Sequence, residues 1–318
     1  MKMNTKKIEF SDIVDASQRI SEYIHHTPVL TCHELDRKVG AHIYLKCENL
    51  QKAGAFKIRG ACNATLSLKL SGYNGSLATH SSGNHGAALA LAARQQGMKA
   101  HIVMPKNSNK AKYDAIIHYG GTVTLCGPLL TDRDHTLADI VETTNAKVIH
   151  PFDDLHVIAG QGTTALELIE DVAILDVLMA PIGGGGLLSG CALAARTLKP
   201  DIQIIGVEPA GAQVANLSRT AGKLVDGPTP QTIADGLRAG IARTTHEVIE
   251  NHVDDLATVD DAEIIYTMRW IWERTKLIIE PSSAVPIAAL MGGHVAPKGR
   301  HIGIIVTGGN VDFDQLPW

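Results

Sequence analysis

Leu77-Ala78-Thr79-His80-Ser81-Ser82-Gly83-Asn84-His85-Gly86 decides the fold class, because an apolar run of strand length passes, through a turn of hydroxyl, glycine and amide residues, into a helix. The alternation continues downstream. Gly86 to Gln96, Lys110 to Tyr119 and Arg133 to Thr144 read as helices, and Ala100 to Met104, Val123 to Cys126 and Lys147 to His150 as strands. Short connections between alternating strands and helices are the pattern of a parallel sheet wrapped by helices. Further on, Thr163 to Val172, Leu187 to Leu198, Asp261 to Thr275 and Ser283 to Met291 carry helical patterns. Val177 to Pro181, Gln203 to Glu208 and Ile302 to Val306 read as strands, while residues 211–243, rich in Gly, Pro and Thr, resist assignment. Upstream, Ser11 caps a helix reaching Tyr23, Ile43 to Cys47 alternates as a strand, and Phe56 to Leu70 is helical with Lys57 at its start. The expectation is an α/β protein of two domains, each a mainly parallel twisted sheet flanked by helices. Residues 76–153 form the small domain and residues 1–75 with 154–318 the large one.

Composition narrows the function. The chain of 318 residues exceeds the size at which one core stops growing, and with 45% hydrophobic and 19% charged residues it reads as an α/β enzyme. A net charge of −4 offers no basic excess for a phosphate backbone, so nucleic acid is not an expected partner. The cysteines, Cys32, Cys47, Cys62, Cys126 and Cys191, contain no C-x-x-C pair and read as reduced thiols of a cytoplasmic protein. Met1 to Lys7 is basic, but Glu9 and Asp12 interrupt any signal-peptide core. The apolar stretch Val172 to Ala195 is cut by Asp176 and a glycine run, so no membrane span is expected.

Three stretches concentrate chemistry. In Ala55-Phe56-Lys57-Ile58-Arg59-Gly60 the lysine stands between an aromatic and an apolar residue, where desolvation lowers an amine's pKa and suits it to a Schiff base. By itself such a lysine more often faces solvent. Gly183-Gly184-Gly185-Gly186 lies between a strand and a helix, where bare backbone can approach a phosphate. It is neither a P-loop nor a G-x-G-x-x-G fingerprint, and its bland alternative is a tight turn. Ser81 to Gly86 could grip a carboxylate or simply cap a helix. No G-x-S-x-G elbow, H-E-x-x-H or Cys/His cluster is present, which argues against a serine hydrolase and a zinc site.

Read in order, Lys46 to Gln51, Gly54 to Gly60, Ser81 to His85, Val157-Ile158-Ala159-Gly160-Gln161-Gly162-Thr163, Pro181 to Gly186 and Thr307-Gly308-Gly309-Asn310 resemble the serine racemase and serine/threonine dehydratase family. These are pyridoxal-phosphate enzymes of the tryptophan-synthase-β fold type, fold type II, and they include the 3-hydroxyaspartate dehydratases. The resemblance implies that the large domain binds the cofactor. Lys57 would carry it and act as base, Phe56 and Asn84 would hold its ring and 3′-oxygen, Gly183, Gly184, Gly185 and Gly186 would bind its phosphate, and Thr307 would meet its ring nitrogen. A hydroxyl at that nitrogen leaves it unprotonated, which favours elimination over transamination. Ser81, Ser82, Asn84 and His85 would bind the substrate carboxylate. Ser82 stands where racemases and 3-hydroxyaspartate dehydratases have their second proton-handling group. Arg133 falls where those enzymes place an arginine near the substrate's distal end, and it could pair with a β-carboxylate or be a surface helix charge.

Three positions depart from the racemases. Glu208 to Val214 resembles their divalent-cation loop, but Val214 replaces an aspartate, which removes a hard oxygen ligand and makes a Mg²⁺ or Ca²⁺ site doubtful. Ala239 replaces a serine and Phe152 a polar residue, so the side-chain pocket is drier. The expected activity is dehydration of serine, threonine or 3-hydroxyaspartate to a 2-oxo acid and ammonia, with an amino-acid racemase having dehydratase side activity as the alternative. The small-molecule amino acid would be the partner of a homodimer. With the chain ending at Trp318, feedback control through an added regulatory domain is not expected.

Overall fold

The computed structural model describes residues 7–296 and 301–318; the basic lead-in Met1 to Lys6 lies outside them. The chain runs α1 (Phe10–Ile20), β1 (Val29–Leu30), α2 (His33–Val39), β2 (His42–Cys47), α3 (Lys57–Leu70), β3 (Leu77–His80), α4 (Asn84–Gln95), β4 (Ala100–Pro105), α5 (Lys110–His118), β5 (Thr122–Cys126), α6 (Leu130–Thr144) and β6 (Lys147–Val148). It continues through α7 (Leu155–Asp171), β7 (Val177–Pro181), α8 (Gly186–Leu198), β8 (Gln203–Pro209), α9 (Val214–Ala221), α10 (Arg243–His252), β9 (Asp255–Val259), α11 (Asp261–Thr275), α12 (Pro281–Met291) and β10 (His301–Val306).

These strands make two sheets. The smaller, ordered β5-β4-β3-β6, is parallel throughout; the larger, ordered β1-β2-β10-β7-β8-β9, is parallel except where β1 joins β2. The α/β class and parallel sheets expected from the alternation are therefore present. Central strands are buried on both faces, as in β7, whose every residue is buried, because helices cover each side. The apolar core divides accordingly. One cluster packs α1, α7 and α8 on one face of the large sheet, and another packs α11 and α12 on its opposite face. A third joins α3 to β3, α4 and β4 and to Val157 of α7, so α3 links the small sheet to the helix layer that covers the large one.

A knot of buried charge fixes α3 to its neighbours. Arg59 is fully buried and donates to Glu48 at 2.8 Å and to Glu167 at 2.7 Å, while Lys46 reaches Glu167 at 2.8 Å and Asp171 at 3.2 Å. Buried charges persist only when paired in this way. The knot ties β2, α3 and α7 together immediately beside Lys57.

Several element boundaries differ from the sequence expectation. Helix α7 begins at Leu155 rather than Thr163 because Gly160 and Gly162 are contact points, not breakers. A Cβ on Gly160 would stand 2.5 Å from the Arg59 carbonyl oxygen, and one on Gly162 2.8 Å from that of Gly190 in α8. Helix α1 starts at Phe10 behind Glu9, whose N–H donates to Asp12 at 3.0 Å, so Ser11 is not its cap. Helix α4 opens at Asn84 instead of Gly86, and α6 opens at Leu130 instead of Arg133. The unassigned residues 211–243 hold α9 and irregular backbone, and α2, α10, β1 and β9 carried no sequence assignment. All five cysteines are unbridged, and no helix among the described residues is long and apolar enough to cross a membrane.

Candidate active site

The carboxyl ends of β3, β7 and β10 open on one cleft, the place where parallel α/β sheets offer backbone N–H groups and helix N-termini to a ligand. Past β3 the chain enters Ser81-Ser82-Gly83, past β7 the glycine turn, and past β10 Thr307. Phe56 N–H donates to the Thr307 carbonyl at 3.0 Å and Gly309 N–H to that of Gly54 at 2.9 Å, which brings the Lys57 loop alongside Thr307. The cavity so formed is lined by Phe56, Lys57, Ser81, Ser82, Asn84, His85, Arg133, Gly183, Gly184, Gly185, Gly186 and Thr307. Every site residue named from the sequence thus shares one cavity.

Lys57 opens α3 with its amine 5.1 Å from the Phe56 ring centroid and donating to the Pro151 carbonyl at 3.0 Å. Burial lowers its pKa to about 8, with nearby Glu280 opposing the shift, so a fraction of neutral amine exists near neutrality. The glycine turn leads into α8, whose first residues have no side-chain cap. Gly185 has φ +85°, a Cβ on Gly184 would overlap the Phe152 ring, and a Cβ on Gly183 would stand 3.0 Å from Leu237. Side chains are excluded here, and bare N–H groups at the positive helix end remain.

Of the two roles weighed for the serine turn, the one at the helix start is visible in the structure. Ser81 Oγ accepts from the N–H groups of Gly83 at 3.1 Å and Gly86 at 3.0 Å, so it shapes the turn and keeps its own proton to donate. Asn84 is the first residue of α4. His85 is buried, and desolvation, reinforced by Lys57, pushes its pKa well below the usual imidazole value. Its neutral ring gives Nε2–H to the Ile149 carbonyl at 3.2 Å, which leaves Nδ1 a bare acceptor. An acceptor cannot grip a carboxylate, so the donors available at His85 are main-chain ones.

Thr307 is buried, and its hydroxyl lies 3.0 Å from Ser283 Oγ, which in turn bridges the backbone of Gly308 by accepting from its N–H and donating to its carbonyl. The groups that meet at Thr307 itself are neutral hydroxyls. Arg133 lines the cavity's far end; its Nη2 donates to the Pro128 carbonyl at 3.4 Å, and its buried Nε has no hydrogen-bond partner among the described residues. Phe152 and Ala239 line the same cavity, and the Phe152 ring packs edge-on to His150 at 4.6 Å between centroids.

Sequence reading missed Ser283 and a buried ionic group of Lys112, Asp235 and Glu280 on the cavity wall. Glu280 precedes Pro281 at a helix start and so looks like ordinary capping. Only its partnership with Asn84, distant in sequence, gives it away.

At Glu208 the carboxylate accepts from the N–H groups of Ala215 and Asn216, each at 2.9 Å, and thereby holds the start of α9. Desolvation raises its pKa to about 7. No group of three or more His, Cys, Asp or Glu suited to a metal occurs among the described residues.

An amine of depressed pKa and a side-chain-free turn of N–H groups at a helix start fit the aldehyde and the phosphate of pyridoxal phosphate. The comparisons agree. Residues 20–308 match the family described as "Pyridoxal-phosphate dependent enzyme". The chain is 43% identical over 309 residues to the beta-hydroxyaspartate dehydratase of Paracoccus denitrificans (strain Pd 1222), covering 97% of this chain and 98% of that one. It is 45% identical over 323 residues to the serine racemase of Arabidopsis thaliana, covering 99% and 98%. The solved structure of maize serine racemase superimposes with a TM-score of 0.94 at 41% identity, covering 97% of this chain and 95% of that chain. This chain belongs to the pyridoxal-phosphate dependent enzyme family, on its dehydratase and racemase branch, and uses pyridoxal phosphate.

Proposed function

We propose that the protein dehydrates a 3-hydroxy amino acid, with 3-hydroxyaspartate as first choice and serine and threonine next, and releases the 2-oxo acid and ammonia. The observation that carries this reading is Arg133, a cavity-lining guanidinium whose buried Nε lacks a partner. The nearby carboxylates of Asp235 and Glu280 are engaged by Lys112, so a distal carboxylate on the substrate is the missing counterpart.

Pyridoxal phosphate, when bound, withdraws electrons from the substrate's α-carbon and so makes its proton removable. Lys57 removes that proton with its amine, and Ser82 handles a proton for the other configuration. Main-chain N–H groups at the start of α4 and the Ser81 hydroxyl orient the α-carboxylate. Arg133 holds the far end, and Phe152 keeps water off the reacting bond. The hydroxyl leaves as water, and an equal water is consumed when the enamine hydrolyses, so the net products are the 2-oxo acid and ammonium. The division into a large cofactor-binding domain and a small domain of residues 76–153, a homodimeric assembly and a cytoplasmic location complete the proposal.

Racemisation is the second reading, and Ser82 in the same cavity as Lys57 favours it. Incubation with the stereoisomers of 3-hydroxyaspartate, serine and threonine, followed for 2-oxo acid and for inverted amino acid, separates the two. A larger yield of D-serine than of pyruvate from L-serine, with no oxaloacetate from 3-hydroxyaspartate, overturns the dehydratase reading.

A further inference from the structure

Glu280, at the start of α12, is 2% exposed and has no part in the roles described above. Its Oε1 accepts from Asn84 Nδ2 at 2.7 Å, and its Oε2 lies 3.4 Å from Lys112 Nζ. Lys112 is held in turn by Asp235 at 2.5 Å. Gly308 makes this approach possible, since a Cβ there would stand 2.8 Å from Oε1.

On the other side of the Asn84 carboxamide, Asn310 Nδ2 donates to Asn84 Oδ1 at 3.0 Å and to the Ala53 carbonyl at 2.8 Å. A carbonyl can only accept, so the nitrogen of Asn310 must face Ala53. Asn84 then has to show oxygen to Asn310 and nitrogen to Glu280. Turned over, it would set its oxygen against the Glu280 carboxylate and its nitrogen against the Asn310 nitrogen, a mismatch at both ends. The hydrogen-bond network thus dictates the amide's orientation. One Asn84 amide hydrogen goes to Glu280, and the other stays on a side chain that lines the cavity.

We propose that Glu280 is a positioning residue that, with Asn310 opposite, locks the Asn84 carboxamide so that its remaining N–H meets the ring oxygen of pyridoxal phosphate. The inference rests on the reading in which Asn84 touches that oxygen. Glu280 acts through the hydrogen bond it accepts from Asn84, so once Lys112 no longer faces its other oxygen an uncharged acceptor of the same shape can replace it.

The test uses the full chain freed of cofactor and titrated with pyridoxal phosphate, with the dissociation constant and the visible absorption maximum as readouts. Asn84→Ala and Glu280→Leu each weaken binding about tenfold, the effect of losing one hydrogen bond to a charged group. Glu280→Gln in a Lys112→Met background, where no ammonium faces the amide nitrogen, still accepts through its oxygen and stays within about threefold of Lys112→Met alone. The double variant Asn84→Ala/Glu280→Leu binds no more weakly than Asn84→Ala. Losses that multiply in the double variant overturn the positioning role while leaving the Asn84 contact standing, and an unchanged titration for Asn84→Ala overturns the contact and the positioning role together. If Glu280→Leu does not fold, Asn310→Asp takes its place, because a carboxylate facing Asn84 Oδ1 turns the carboxamide over. The same tenfold loss is expected, with none added in the Asn84→Ala background, and an added loss overturns the proposal.

Discussion

The amine of Lys57 is pulled in opposite directions, by burial toward the neutral form and by Glu280 toward the charged one, and burial wins. Its folded pKa of about 8 lies below the ordinary lysine value, so the nucleophilic form grows as pH rises through that point. The rate at which cofactor-free protein captures pyridoxal phosphate should therefore climb between pH 7 and 9 with a midpoint near 8, as followed by stopped-flow absorbance. A midpoint above 10 would mean that the amine is not desolvated. Lys57→Ala should lower 2-oxo acid formation by at least roughly 10³-fold, since the other lysine on the cavity wall, Lys112, is held charged by Asp235 and Glu280 and cannot serve as a base. At Arg133, replacement by alanine should raise KM for 3-hydroxyaspartate about 10- to 100-fold, the cost of leaving a carboxylate unpaired. Serine, which has no second carboxylate, should change less than about threefold, and equal effects on both substrates would count against a distal-carboxylate contact. Lys57 and Arg133 were nameable in the sequence because they sit in recognisable surroundings. Glu280 was not, because its meaning lies in partners far along the chain.

At the level of elements, close helix crossings explain why α7 was read too short. Glycine inside a helix is a breaker by propensity, and only tertiary contact reverses that reading. A Cβ on Gly162 would stand 2.8 Å from the Gly190 carbonyl oxygen, so Gly162→Ala should cost roughly 1–3 kcal/mol in a denaturant titration with the secondary structure retained. Strands with continuous apolar runs, such as β7, were placed well, whereas two-residue β1 offered too few residues for periodicity to register and β9, equal in length to β7, opens on Asp255 and is only partly buried. Helix α9 carries a separate pH signature. The folded pKa of Glu208, about 7, is raised above its unfolded value, so its stabilising contribution is present below about pH 4.5 and is lost as pH rises through 7. The stability of Glu208→Gln relative to the parent should accordingly improve by an amount on the order of 2–3 kcal/mol between pH 4.5 and 8. A constant difference across that range would remove the burial argument.

Across the whole molecule, the two sheets present their carboxyl strand ends to one cleft while α3 packs between α4 of the small sheet and α7 of the large one. The parallel architecture was legible because strand and helix signals alternate with short connections. The way the sheets face each other was not, because it depends on contacts among residues that no local pattern links. The segment from Glu208 to Val214 illustrates the same scale: both oxygens of Glu208 accept N–H groups of α9, and Val214 is buried. Prolonged dialysis against a chelator should leave turnover within about twofold, as expected where a hard-oxygen ligand set is incomplete. A loss restored by Mg²⁺ or Ca²⁺ would contradict it. Lys57 stands on a helix pinned by the buried Arg59 knot, while Phe152 and Ala239 occupy irregular segments. Inheritance can therefore treat the two halves of the cleft separately. Substitutions at the irregular wall leave the Arg59 knot untouched, so a lineage built on this scaffold can change its nutrient while the helix that carries Lys57 stays pinned.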